Sequence, residues 1–339
     1  MIIALRADFF RPKSYMSEFA IKTENLSKTY KSFFKRNTVE ALKSLSLEVP
    51  LNCVYGFLGP NGAGKTTSIK LIMDLIKPSD GSAQLFGQPT DDISVKQRIG
   101  FLPDAPAFSP HLTTRKFLTI CAKLLHIPWD QRSAKIDEVL ETVSMTKYAN
   151  QKLGGFSRGM VQRVGFAQAI LNDPELLILD EPLVGLDPHG RQDLKNIILR
   201  LKDKGTTIFF CSHILSDVEK MCDRVGILAN GELLNSGPIA DLLAPTGQDI
   251  HLNADENELF MKMMEKATSS SKLDDGSCEL LFDNKPETVE FLKDLSQSHP
   301  NAFSIRTKKE SLEDYFFRMT EKPKTEQTST SSQEQAGSS

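Results

Sequence analysis

The stretch GPNGAGKTT, residues 59–67, sits between an apolar run (VYGFL) and a segment of helical periodicity (TTSIKLIM). Gly59, Gly62 and Gly64 let backbone N–H groups converge on an anion, since a Cβ would obstruct so tight a turn. Lys65 is long enough and charged to reach the β- and γ-phosphates of a nucleoside triphosphate. Thr66 offers a hydroxyl to Mg²⁺, and the helix N-terminus adds its positive end. Asn61 and Thr67 belong to the same expected phosphate-binding loop. Further along, LLILDEP, residues 176–182, ends an apolar run in two acids. At a strand's carboxyl end, Asp180 is suited to hold Mg²⁺ through water, and Glu181 to orient and activate an attacking water. Together these two stretches fit the hydrolysis of a nucleoside triphosphate.

Elements must bring them together. From Ile21 to about Leu243 strand and helix signals alternate: IKTENL, SLSLEV, VYGFLG, TTSIKLIMDLI, LLILDEP, TTIFFCSH. Such alternation predicts an α/β fold with a mostly parallel sheet covered by helices, and GPNGAGKT, which fits GxxxxGK[ST], makes it a P-loop NTPase. Between Arg98 and Asn172 helical signals dominate, predicting a helical subdomain over about 98–172. After about Pro245 the pattern reads strand, helix, strand, helix, strand, helix, a small α+β accessory domain. Met261, Met263 and Met264 are expected to fill its core in preference to forming a partner groove. The expected organisation is a flexible leader over 1–15, an ATPase domain over 16–245, an accessory domain over 246–321 and a disordered polar tail over 322–339. The insertion KSFFKRN, 31–37, reads either as a solvated hairpin tip or as a contact with a membrane protein or lipid headgroups.

Composition bounds the function. At 339 residues and 40% apolar content the chain has ample core for two domains. A formal charge of −3 argues against nonspecific nucleic-acid binding. The five cysteines form no CxxC pair and read as reduced core residues of a cytosolic protein. No run of about 18 apolar residues, the length a membrane helix needs, is present.

With the glycine loop, FSRGMVQR at 156–163, LLILDEP and GLDP in this order, the chain resembles an ATP-binding cassette (ABC) transporter ATPase. The resemblance implies that Ser157 and Gly159 bind the γ-phosphate of the ATP held by an opposite subunit, in a head-to-tail dimer. It implies that Tyr30 stacks on adenine, that Asp187 lies in the loop crossing the dimer interface, and that His213 contacts the γ-phosphate. Asp104 stands where the family has glutamine or glutamate reaching toward Mg²⁺ or water, and Arg158 stands where it has a glycine. FLPDAPAFSPHLTTRKFL and SLEDYFFRMTE look like the ABC-2-type exporter branch, so the resemblance covers about Met16 to Glu321. It implies an ATPase, homodimeric or paired with a related chain, that uses ATP and Mg²⁺. It would sit in the cytoplasm on the inner face of the membrane, through a separate permease. A groove lined by Phe101, Pro106, Phe108, Pro110 and Leu112 would accept a short permease helix. The alternative is an ABC ATPase that acts on ribosomes or DNA without a permease.

Overall fold

The computed structural model describes residues 17–31, 38–243, 245–252, 261, 263–272, 278–283, 285–298 and 303–320. The leader over 1–15, residues 32–37 of KSFFKRN and the tail over 322–339 lie outside them. The chain divides into two compact units, Met1–Ile239 and Ala240–Ser339.

In the first unit, β1 (Phe19–Lys31) and β2 (Thr38–Pro50) form a long antiparallel hairpin. Leu45, Leu47 and Val49 point inward while Ser46 and Glu48 face water, the period of a half-buried strand. Next come β3 (Val54–Leu58), α1 (Lys65–Ile72), β4 (Asp80–Leu85), β5 (Gln88–Pro89) and α2 (Ile93–Lys96). They are followed by β6 (Ile99–Leu102), α3 (Thr114–Leu124), α4 (Trp129–Thr142) and α5 (Arg158–Ala169). The unit continues through β7 (Leu176–Asp180), α6 (Pro188–Asp203), β8 (Thr207–Ser212), α7 (Leu215–Met221), β9 (Arg224–Ala229) and β10 (Glu232–Pro238). A short α8 (Ile239–Leu242) spans the division.

Two sheets result. IKTENL and SLSLEV, expected within the alternating parallel sheet, instead form a separate antiparallel sheet of order β2-β1-β4-β5. The other has order β10-β9-β3-β8-β7-β6, parallel throughout except where β10 meets β9. Its strands β3, β7 and β8 are buried at every residue, as strands covered on both faces must be. Phe209 stacks near Tyr55 and Phe57 at centroid distances of 5.8 and 5.5 Å, locking β8 to β3.

Strand β6 corrects the helical reading of 98–172. Four residues, one of them Gly100, carry too little periodicity to register, yet IGFL pairs in parallel with Leu176–Leu179. A Cβ at Gly100 would lie 1.9 Å from the Ala169 carbonyl oxygen, so α5 packs on this strand only because the glycine is there. Helices α3, α4 and α5 do occupy the rest of that stretch.

The second unit pairs β11 (Pro245–Leu252), β12 (Ser269–Lys272), β13 (Cys278–Phe282) and β14 (Phe303–Lys309) antiparallel, in the order β12-β13-β11-β14. Helices α9 (Pro286–Ser298) and α10 (Leu312–Thr320) accompany them. Strand β12, SSSK, has no apolar residue to announce it. Of the three methionines expected in its core, only Met263 is buried, beside Ile250, Leu280, Phe282 and Leu292. Met261 and Met264 are 67% and 39% exposed.

Candidate active site

Parallel pairing decides what meets. In the order β3-β8-β7-β6, four neighbouring strands end at the same edge of the sheet, with Leu58 opposite Ser212, Asp180 opposite Cys211 and Leu102 opposite Leu179. The next residues in each chain are therefore Gly59, His213, Glu181 and, two beyond Leu102, Asp104. This is the carboxyl edge at which open α/β sheets bind ligands.

A cavity of about 210 Å³ opens there, lined by Pro60 to Thr67 of the glycine loop and by Ala41, Asp104 and Glu181. Two glycines shape it. A Cβ on Gly59 would lie 2.3 Å from the Leu228 carbonyl oxygen, and one on Gly64 2.5 Å from that of Ala41. Gly64 also has φ of +111° and caps α1, whose first-turn N–H groups have no intrahelical partner. Ala41, which hems the loop from β2, carried no sequence signal because only its backbone is used.

Lys65 folds back over the loop. Its Nζ donates to the Gly59 carbonyl at 2.6 Å and the Pro60 carbonyl at 3.3 Å, and lies 3.7 Å from Glu181 Oε1. His213 Nδ1 donates to Glu181 Oε2 at 3.0 Å, which fixes one face of the imidazole. The turn holding His213 is itself braced by Ile214 N–H donating to Ser212 Oγ at 3.0 Å. Glu181 has φ of +51°, a left-handed backbone that is strained by roughly 1 kcal/mol in a non-glycine residue. Such strain gathers where a side chain must be aimed.

Thr66 Oγ1 donates to Asp180 Oδ2 at 2.9 Å, while Asp180 Oδ1 is buried without a partner. Burial pushes the Asp180 carboxyl above its usual range; the Thr66 hydrogen bond opposes this, and the charges of Asp104 and Glu181 reinforce it. An orphaned carboxylate oxygen beside a hydroxyl, among three acids and one lysine, fits a divalent cation. Among the described residues no set of three acid, histidine or cysteine side chains is arranged to hold a metal by itself. Mg²⁺ bound together with phosphates needs only one or two protein groups, so the residues present suffice.

The remaining expected residues lie apart from this cavity. Ser157 caps α5, its Oγ accepting from Met160 N–H at 3.3 Å, and Asp187 caps α6, accepting from Gly190 N–H at 3.1 Å. The two caps are packed together: a Cβ on Gly159 would meet the Gly185 carbonyl oxygen at 3.3 Å, and the stem of Arg158 lies against Gly185. Gln162, buried, donates to the Pro182 carbonyl at 3.2 Å, and Arg163 binds Asp193 at 3.0 Å. Both tether α5 to the segment that follows Glu181. Tyr30 is 43% exposed at the end of β1, with the Lys28 ammonium 5.4 Å from its ring centroid. None of Tyr30, Ser157, Gly159 and Asp187 lines the cavity; nor do Asp180 and His213, which join it through their hydrogen bonds to the lining residues Thr66 and Glu181.

Of the groove residues, Phe101 packs on the buried core and Phe108 on Phe117, with ring centroids 4.5 Å apart. Cys53 and Cys211 are buried free thiols, and burial pushes Cys53 up to about 11.

Comparison with known proteins matches this geometry to a family. The family model described as ABC transporter matches residues 42–184. An uncharacterised ABC transporter ATP-binding protein of Synechocystis is 41% identical over 308 residues, covering 88% of this chain and 84% of that one. The bacitracin transport ATP-binding protein BcrA of Bacillus licheniformis is 35% identical over 305 residues, covering 88% and 96%. Among solved structures, the dimeric post-hydrolysis ATP-binding cassette MJ0796 bound to ADP and Pi superposes with a TM-score of 0.60 at 25% identity, over 65% of this chain and 98% of that one.

Proposed function

The chain belongs to the family of ABC transporter ATP-binding proteins and is the ATP-hydrolysing subunit of such a transporter, and from that premise we propose how its residues divide the work. One observation carries the reading: Lys65, Thr66, Asp104 and Glu181 line one cavity, with Asp180 and His213 hydrogen-bonded to Thr66 and Glu181, while Ser157 and Gly159 do not line it. A complete site therefore takes two chains, head to tail, each lending its α5 N-terminus to the other's nucleotide.

In this scheme Tyr30 stacks on adenine, and Lys65 leaves the Gly59 carbonyl for the β- and γ-phosphates. Mg²⁺, when bound, supplies positive charge to the phosphate oxygens, and Thr66 Oγ1 and Asp180 would hold it, with Asp104 contributing from the loop after β6. Glu181 takes the proton of the attacking water on its carboxylate. His213 steadies that carboxylate through Nδ1–H in the nucleotide-free chain, and with ATP bound it donates a ring N–H to the γ-phosphate. Ser157 and the first-turn N–H groups of α5 face the γ-phosphate held by the partner, and Asp187 lies at the contact.

ATP closes the dimer and hydrolysis opens it, driving a separate transmembrane permease. BcrA is named for bacitracin transport, and export is the direction we assign here. Among the described residues no helix is long and apolar enough to cross a membrane, which suits an ATPase held at the inner membrane face by its permease. The surface around Phe108 is the proposed docking groove.

Co-purification with membranes tests this coupling. Phe108→Asp should release the chain from permease-bearing membranes while ATP hydrolysis survives. Because Phe108 packs on Phe117, Phe117→Leu serves as the control that loosens the same pair without adding charge. Wild type that captures no membrane partner would defeat the permease reading and favour the soluble alternative.

A further inference from the structure

The geometry points to a second working surface, the tip of the α3–α4 hairpin, as a site that docks on an anionic lipid surface. Trp129, the chain's single tryptophan, opens α4 and is 83% exposed. Leu124, at the end of α3, is 74% exposed, and Ile120, one turn earlier, 44%. No step of ATP hydrolysis uses them.

Local structure holds these apolar groups outward. The connecting loop is tied down by Leu125 N–H to the Cys121 carbonyl at 2.9 Å and Ile127 N–H to the Ala122 carbonyl at 3.0 Å. Arg132 Nε donates to the Ile127 carbonyl at 2.7 Å. Meanwhile the opposite face of α3 buries Leu118 and Ala122. The tip is thus a built feature of the hairpin whose outer side chains meet water.

Charge selects the occupant. Lys116, Ile120, Lys123 and Leu124 follow helical spacing of three and four and share the exposed face of α3. Neither lysine side chain makes an ion pair among the described residues, although the chain as a whole carries −3. On α4, Asp137 is engaged by Arg115 at 2.6 Å and Glu138 by Lys135 at 2.9 Å, while Asp130 lies beside Trp129 and Glu141 at the far end of the helix. An exposed leucine and isoleucine sharing a helix face with two unpaired lysines, with an exposed tryptophan across the turn, is a composition that settles at a headgroup layer: the apolar groups enter the acyl boundary and the ammonium groups stay with the phosphates. A protein partner would be expected to offer acids to these lysines.

The test uses the full-length chain and protein-free vesicles of phosphatidylcholine with or without phosphatidylglycerol. Co-flotation is read alongside the emission of Trp129. The chain should float only with phosphatidylglycerol vesicles, salt should release it, and Trp129 emission should shift to the blue. Lys116→Gln/Lys123→Gln should weaken this binding roughly thirty-fold, and Leu124→Asp should abolish the shift. ATP hydrolysis and melting temperature, measured on the same samples, should not change, which separates failure here from failure of the ATPase reading. Absence of flotation overturns the proposal. So does flotation with unshifted emission, or equal flotation with and without phosphatidylglycerol.

Discussion

Replacing Glu181 by glutamine isolates the proton-accepting step, because the side chain keeps its shape and loses only its basicity. The carboxylate accepts from His213 at 3.0 Å and lies 3.7 Å from Lys65, and its side chain is 12% exposed. Lys65 keeps its bonds to the Gly59 and Pro60 carbonyls, so the loop should stay formed. A positioned general base contributes about 10²–10⁴ in rate, or roughly 3–5 kcal/mol of barrier. Binding should move the other way. A unit charge about 6 Å from a phosphate charge repels it by roughly 3 kcal/mol at an effective dielectric near 20, before Mg²⁺ offsets part of that. Glu181→Gln should therefore bind ATP at least as tightly as wild type, accumulate as an ATP-bound dimer in gel filtration, and lose kcat by two or more decades. Equilibrium ATP binding and single-turnover hydrolysis measure the two effects separately. Retention of kcat within about threefold, or equal loss of binding and turnover, would refute the assignment.

The other expectations concern the loop and the cation. Gly64→Ala should abolish nucleotide binding and lower the melting temperature, since the new methyl would stand 2.5 Å from the Ala41 carbonyl oxygen at a φ of +111°; titration calorimetry and a thermal melt check this. Asp180→Asn should raise the melting temperature of the nucleotide-free chain, because burial makes the ionised carboxylate unfavourable there, and should abolish Mg²⁺-dependent hydrolysis. The pH dependence follows with its sign. The folded-state pKa of Asp180 is raised, so its contribution to stability is present below the ordinary carboxylate range and is lost as pH rises through the raised value. A cation requires the ionised form, so Mg²⁺ affinity should fall as pH drops through that raised value, as fluorescence titration with Mg²⁺ and nucleotide across the acid range would show.

The chemistry was legible in the sequence because it is concentrated in contiguous stretches with distinctive types. The glycine loop and LLILDEP each flank a fully apolar strand, and the parallel sheet brings them to one edge as that pattern implies. What escaped notice depends on backbone or on long-range packing. Strand β6 has four residues and one glycine, so its pairing with β7 has no local signature. The antiparallel sheet escaped because IKTENL and SLSLEV read as strands without stating their partners. The carbonyl of Ala41 against Gly64 involves no side chain at all. Arg158 reads as a lost glycine in sequence, whereas in the fold its stem lies over Gly185 and joins the caps of α5 and α6. In the second unit MKMM resembles a run of core residues, yet Met263 is buried while Met261 and Met264 are exposed.

The central claim is that each catalytic site is shared between two chains, and a mixing experiment addresses it directly. Lys65→Ala removes the lysine at the phosphates, and Ser157→Ala removes the hydroxyl at the α5 N-terminus; each chain alone should be inactive. A heterodimer of the two keeps one intact site, made of Lys65 from one chain and Ser157 from the other. Ser157 also caps α5, so a thermal melt must first establish that Ser157→Ala still folds after losing about 1 kcal/mol of capping. With Lys65→Ala in excess, nearly every Ser157→Ala chain is driven into a heterodimer, and ATP hydrolysis should reappear in proportion to the Ser157→Ala added. Heterodimers shown to form yet hydrolysing no ATP would contradict the head-to-tail account.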